Sequence, residues 1–523
     1  MNIARFLEHW QLTENPFRAE EARHDGVLTR LGVGASAHPD FEKILGEVSR
    51  PSTSIVFGEK GSGKTAIRLH IAKRVEEHNA SHPDERILFV PYDDLNPMLD
   101  SLHERTRSKG KAKRAKADSS QDRDALACLE KIELVDHMDA ILALAQDRLV
   151  TGLLGGTRAN DAASPNAVDR ESLMKLRGAE QSVRDDALLL QAIYANPESA
   201  YGRFADLRKK VRGSRNWAAA RWAFAAYAGW LLPVGVIALY VWLKGEPFGH
   251  TFWVSFFGVM FAIWAAFLLK RFVIDPFFMK RLGAQLSSSI RINTRAAESF
   301  ADCLSLLPAK SRERLTMPLS RSDEPRYLLL EKFVRVLRAS GVTGVMIVMD
   351  RIDEPTLVNG DANRMRAVIW PMLNNKFLQQ GSIGFKLLLP LELRYELLRE
   401  TSAFFQEARL DKQSLVERLA WTGTMLFDLC CERLNACRDA GTDTISLLDL
   451  FDESVTRQDV IDALDQMQQP RDAFKLIYHC IQEHCSGVPE DISAWKVPRH
   501  VLDTIRKQQA ERVQAFYRGL RPA

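Results

Sequence analysis

The run Gly58-Glu59-Lys60-Gly61-Ser62-Gly63-Lys64-Thr65 restricts this chain more than any other feature. A short apolar stretch, Ser54-Ile55-Val56-Phe57, precedes it, and Ile67, Leu69, Ile71 and Val75 follow at helical spacing. The whole reads as strand, loop and helix around the pattern G-x-x-x-x-G-K-[ST]. Glycines let a backbone curl so that successive N–H groups point inward at a helix N-terminus, where partial positive charge favours anions. The residues Gly58, Glu59, Lys60, Gly61, Ser62, Gly63, Lys64 and Thr65 are therefore expected to bind the phosphates of a nucleotide. Lys64 meets the β- and γ-phosphates as a catalytic charge, and the Thr65 hydroxyl becomes a ligand of magnesium. ATP and Mg2+ are the expected cofactors.

Such a loop needs a second strand that ends in a carboxylate. Gly344-Val345-Met346-Ile347-Val348-Met349-Asp350 supplies it, with Asp350 as the second metal residue of Walker B type. The position after Asp350 is Arg351, so the group that orients the attacking water is Asp353 or Glu354, unless both merely cap the turn. Two more core strands are expected over Arg86–Tyr92, which leads to Asp93 and Asp94, and over Gly384–Pro390, followed by Glu392 and Arg394. The fold class is α/β, a P-loop NTPase with a mainly parallel sheet.

The residues Trp222–Leu243 and Thr251–Leu269 carry no charge, and each approaches the ~20 helical residues that cross a hydrocarbon core. Joined by the turn-rich Lys244–His250, they form either a transmembrane hairpin, with Pro233 interrupting its first helix, or two buried helices of a large soluble core. Arg203, Arg208, Lys209, Lys210, Arg212, Arg215 and Arg221 stand before the pair, and Lys270, Arg271, Lys280 and Arg281 after it. By the positive-inside rule both soluble portions face the cytoplasm, so two spans with cytoplasmic termini are expected, while a bacterial inner membrane is implied only by the family resemblance described next. No charge lies inside either span, which argues against an ion or proton path. Cysteines number seven in 523 residues and are scattered, a pattern of reduced thiols. A net charge of +4 offers no global case for nucleic acid.

A Walker A motif, an inserted pair of apolar helices and the signature Asp350-Arg351-Ile352-Asp353 together resemble the KAP family of P-loop NTPases, which includes bacterial phage-exclusion proteins of the PifA type and animal membrane scaffolds. The resemblance covers roughly residues 41 to 480. It implies that Asp350 and Asp353 serve magnesium and hydrolysis, although Glu354 stands where a basic residue often follows. Leu12-Thr13-Glu14-Asn15-Pro16-Phe17 and Gln469-Pro470-Arg471-Asp472-Ala473 are similar, more weakly, to the entry and the sensor II helix of origin-recognition-type AAA+ ATPases. That likeness implies a C-terminal helical lid from which Arg471 binds the γ-phosphate; an ordinary helix start at Pro470 fits the same residues.

The expected order is an N-terminal segment and first half of the NTPase domain (1–104), a basic linker and helical insertion (105–216), the hairpin (217–272), a helical return (273–340), the second half with Walker B (341–412) and a C-terminal helical domain (413–523). The helices of the insertion read as a stalk between sheet and membrane. The basic stretch 105–116 suits a solvated linker, anionic lipid or nucleic acid. His479-Cys480 and His484-Cys485 lie on one helix with Cys480 and His484 four apart, a spacing that suits a zinc site or core packing. The reading that results is an ATPase that switches conformation or assembly, with phage defence implied by the resemblance alone. A scaffold with little turnover and an origin-recognition-like DNA-binding ATPase are the alternatives. Expected partners are inner-membrane lipids, further copies of the chain in a homo-oligomer, and a phage component or effector protein, with nucleic acid left open.

Overall fold

The computed structural model describes residues 1–523 apart from 20, 32–36, 111–120, 157–166, 215–216, 245–249, 313–315, 440, 490–491 and 518–523. The turn of the expected hairpin and the second half of the basic stretch 105–116 lie outside the described residues.

The chain is α/β. Strands β1 (Ser54–Gly58), β2 (Arg86–Tyr92), β3 (Val342–Met349), β4 (Ile383–Pro390) and β5 (Ser414–Val416) form one sheet in the order β2-β3-β4-β1-β5. Every pairing is parallel, with Phe57 opposite Leu389, Met349 opposite Leu387 and Tyr92 opposite Met349. Strands buried on both faces need near-continuous apolar sequence, and β1, β3 and β4 have it. Alternate residues feed two cores. Val56, Met346, Val348 and Leu388 face Ile67, Ile71 and Val75 of the helix Lys64–Ser81. Ile55, Phe57, Ile347, Met349, Phe385 and Leu387 belong to the larger core on the other side.

That larger core corrects the expected stalk. Helices Leu134–Leu154, Gln181–Tyr194 and Ala200–Val211 of the insertion, and Glu324–Ala339 of the return, bury Ile141, Leu149, Leu190, Phe204, Phe333 and Leu337 in the same cluster as the sheet. They are its second layer. An ion pair ties the outgoing helix to the returning one: the Arg326 guanidinium donates to Asp139 at 2.8 and 3.0 Å, and Tyr194 donates to Asp139 at 2.8 Å, with all three side chains buried. Breaking one side of such a pair costs roughly 3–5 kcal/mol. Arg105, counted above with a solvated basic stretch, instead donates to the carbonyls of Ser287 and Asn293 at 2.7 and 2.6 Å.

Among the described residues one helix is long and apolar enough to cross a membrane, Val254–Ser289, and its apolar window has no residue buried inside the protein. Ala220–Ala228 and Leu231–Leu243 pass that test only together, bent by 44°. The break falls at Gly229-Trp230 and not at Pro233. Pro233 sits in the first turn of the helix Leu231–Lys244, where a missing N–H is no loss. The cause of the bend is Trp264, whose indole N–H donates to the Ala226 carbonyl at 2.9 Å and so competes for an oxygen of the helical ladder.

Two further findings concern the C-terminal part. Residues Ser414–Val416, expected to begin a helical domain, form the edge strand β5 instead. The helices beyond it share a separate core with the start of the chain: Phe6, Leu12, Phe17, Val27 and Leu31 pack with Leu426, Leu434, Leu464, Leu476 and Ile481. Arg433 fixes this union by donating to Asp25 at 2.6 Å and to the Pro16 carbonyl. The N-terminal segment thus belongs by packing to the C-terminal helices and not to the first half of the sheet domain. Cys480, His484 and Cys485 are buried in this core, and His484 Nε2 bonds the Ala494 carbonyl at 2.9 Å, so they serve packing.

Candidate functional site

Parallel strands present all their C-terminal ends on one edge, the edge where open α/β sheets take ligands. The loop Gly58–Thr65 leaves β1 there, Asp350 follows β3, and Glu392 stands two residues beyond β4. Gly61 and Gly63 have φ of 92° and 93°, a backbone that side chains rarely adopt. These two residues let the loop turn back before the helix Lys64–Ser81 begins.

Residues 285 apart in sequence meet at this edge: the Thr65 hydroxyl donates to Asp350 Oδ2 at 2.9 Å. Asp350 is buried, and its other oxygen accepts the Arg351 N–H at 2.9 Å. Burial pushes its carboxyl up from the usual carboxylate range, opposed by the Thr65 hydrogen bond and by the Arg68 and Lys64 charges. Lys64 donates to the Gly58 and Glu59 carbonyls, both at 2.8 Å. Burial lowers its pKa, while the carboxylates of Asp350, Asp353, Glu392 and Glu59 act in the opposite sense.

The two candidates for orienting water are placed differently. Asp353 is partly buried and within electrostatic reach of Lys64. Glu354 is exposed and holds Arg351 at 3.1 Å. Arg351 itself adopts a φ of 62°, so the chain reverses directly after Asp350.

The C-terminal part reaches the loop at several points. A Cβ built on Gly61 would lie 3.0 Å from Arg471 Cβ, and the Arg471 N–H faces the Gly61 carbonyl at 3.5 Å. Glu59, buried, accepts from Arg418 at 2.7 Å and from the Gln469 amide. The Trp421 indole donates to the Ser62 carbonyl at 2.9 Å. Lys60 is exposed.

Sequence reasoning missed Arg418, Trp421 and Arg68. Arg68 is buried one helical turn after Lys64, 2.6 Å from Asp93 and 3.8 Å from Asp350. Its spacing from Lys64 was the available signal, since residues four apart share a helix face. Asp93 is thereby an ion-pair partner of Arg68, and Asp94 caps the next turn by accepting the Asn96 N–H at 3.1 Å. Arg394, Arg399 and Arg409 pair with Glu417, Glu396 and Asp411.

A threonine hydroxyl and a carboxylate within hydrogen-bond distance are hard oxygen donors of the kind magnesium takes. Among the described residues no group of three or more His, Cys, Asp and Glu side chains could hold a metal ion alone. Magnesium bound through one or two carboxylates plus substrate phosphates does not require one. No protein-family model, curated protein or solved structure matches the chain.

Proposed function

We propose that this chain is a membrane-anchored P-loop ATPase that turns ATP binding and hydrolysis into a change of conformation or assembly. The contact of Thr65 with Asp350 carries the reading. It supports a magnesium site between the glycine loop and the end of β3, on the edge where Lys64 also lies. Thr65 and Asp350 would hold the magnesium ion, which when bound would supply positive charge against the charge that develops during transfer. Lys64 would exchange its two carbonyl partners for phosphate oxygens, and Asp353 would orient the attacking water. Arg471, already against Gly61, would reach the γ-phosphate from a helical lid.

The broken helix pair and the long helix Val254–Ser289 support a hairpin in the membrane. Phe224, Leu232, Trp242, Val254 and Val259 are all exposed, large apolar side chains of the kind that mark a membrane or interaction surface when they cluster. A role in phage defence rests on the resemblance to KAP proteins alone.

The test is equilibrium binding and steady-state hydrolysis of MgATP by the detergent-purified chain and its Lys64→Ala variant. Two charge-assisted contacts at ~1.5–3 kcal/mol each imply a loss in affinity of at least about 100-fold. Unchanged affinity in a folded Lys64→Ala protein sinks the assignment. Binding without turnover under any stimulus replaces the ATPase with a nucleotide-regulated scaffold.

A further inference from the structure

Where the long apolar helix meets the soluble core, the protein encloses a cavity of about 980 Å³. Its wall is Trp222, the wide turn Lys270–Ile274, and the helices Asp275–Ser289 and Ala297–Ser305 with the turn at Arg312. Five cations, Lys270, Arg271, Lys280, Arg281 and Arg312, face three carboxylates, Asp275, Glu298 and Asp302. Lys280 is held by Glu298 at 3.7 Å, and Lys270 lies over the Trp222 ring at 3.8 Å.

Two guanidinium groups are under-used. Among the described residues the buried Nε atoms of Arg271 and Arg312 have no hydrogen-bond partner, and Nη1 of Arg312 donates to the soft sulfur of Met279 at 3.0 Å. A buried N–H on a cation without an oxygen acceptor is costly, so the pair points to an anion. Burial also lowers the Arg312 pKa, with Asp275 acting against it. The π-helical turn Lys270–Ile274 is an irregularity of a kind found frequently at functional sites.

The rim distinguishes a lipid from a small anion. Phe272, Ile274, Phe277 and Phe278 are exposed beside the cavity, continuous with the apolar helix. Inorganic phosphate would satisfy the arginines and leave this shelf wet, whereas a phospholipid covers both. Basic pockets at the cytoplasmic ends of membrane helices bind such headgroups.

We propose that this cavity binds the phosphate headgroup of an anionic phospholipid, with Arg271 and Arg312 as its principal donors. The inference rests on the membrane anchoring argued above. Its test is reconstitution of the full chain into lipid discs of phosphatidylcholine with and without phosphatidylglycerol, followed by native mass spectrometry of retained lipid. Wild type should retain phosphatidylglycerol in preference, and Arg271→Gln with Arg312→Gln should reduce that retention about tenfold or more. The paired Lys substitutions, which keep the charge, should recover most of it and guard against a merely misfolded Gln variant.

Equal retention of both lipids by wild type, or no change in the Gln variant, overturns the site. Displacement of the lipid by inorganic phosphate would show a free-anion site and overturn the lipid assignment. Flotation with phosphatidylcholine vesicles separates the two readings. A chain that floats without headgroup preference loses only this proposal; a chain that never floats loses the membrane anchor.

Discussion

Lys386 lies at the centre of the sheet, on β4 between Ser54 of β1 and Val348 of β3, fully buried and, among the described residues, with no hydrogen-bond partner for its amine. Burial lowers its pKa from 10.5 to about 7. Between those values the unfolded chain holds a proton that the folded chain does not, so stability rises with pH through that window. The contribution is complete only above pH 10.5 and is lost below about 7. At ~1.4 kcal/mol for each pH step, the folded protein is about 5 kcal/mol poorer at the acid end. Lys386→Met keeps the length of the stem and removes the amine, so it should flatten the pH dependence from 7 to 10.5. It should also raise the melting temperature at neutral pH. Thermal unfolding in one detergent across that range, wild type beside variant, provides the measurement. Parallel curves, or a methionine variant less stable at pH 7, would refute the reasoning and show that the amine has found a partner or water in solution.

The carboxylates after β3 give a second contrast. Asp353→Asn should keep MgATP binding and lose turnover by about 10²–10⁴-fold, whereas Glu354→Gln, altering an exposed partner of Arg351, should stay within a few-fold of wild type. The reverse pattern would move the role to Glu354. At the loop, Glu59→Ala and Gln469→Ala remove the same buried contact, so hydrogen exchange of the helix Pro470–Gly487 should reveal a coupling of about 1.5–3 kcal/mol in a double-mutant cycle. Arg418, with 48% of its side chain exposed, should couple to Glu59 by less than ~1 kcal/mol. Strictly additive costs for both pairs would show that Glu59 does not hold the C-terminal helices.

The four longer strands were legible because each is an apolar run with a turn or carboxylate after it. The meeting of Thr65 and Asp350 followed from parallel strands that share an edge. Strand β5 was hidden by its length, since Ser414-Leu415-Val416 has no period of its own and takes its geometry from β1. The bend at Gly229 depends on an indole from another helix, and a reading that attends only to proline overlooks it. Trp421 and Arg418 reach the loop from 359 residues away, and nothing local in their sequence announces that. Arg471 was visible only through its likeness to a sensor helix, and the structure does bring it to Gly61.

One feature of the sheet bears on how the protein is made. Strands β2 and β3 are hydrogen-bonded neighbours, yet β2 ends at Tyr92 and β3 begins at Val342, with the entire apolar helix pair synthesised between them. Until the ribosome has passed Pro390, β1 has neither of its neighbours, and without β4 between β1 and β3 the glycine loop is not yet set beside Asp350. The emerging first half must therefore wait with an open strand edge, exposed to aggregation and to chaperones, until the second half is made. On the proposed reading of the apolar pair as a membrane hairpin, the pair leaves the ribosome before Asp350 does, so insertion would precede assembly of the glycine loop with its carboxylate.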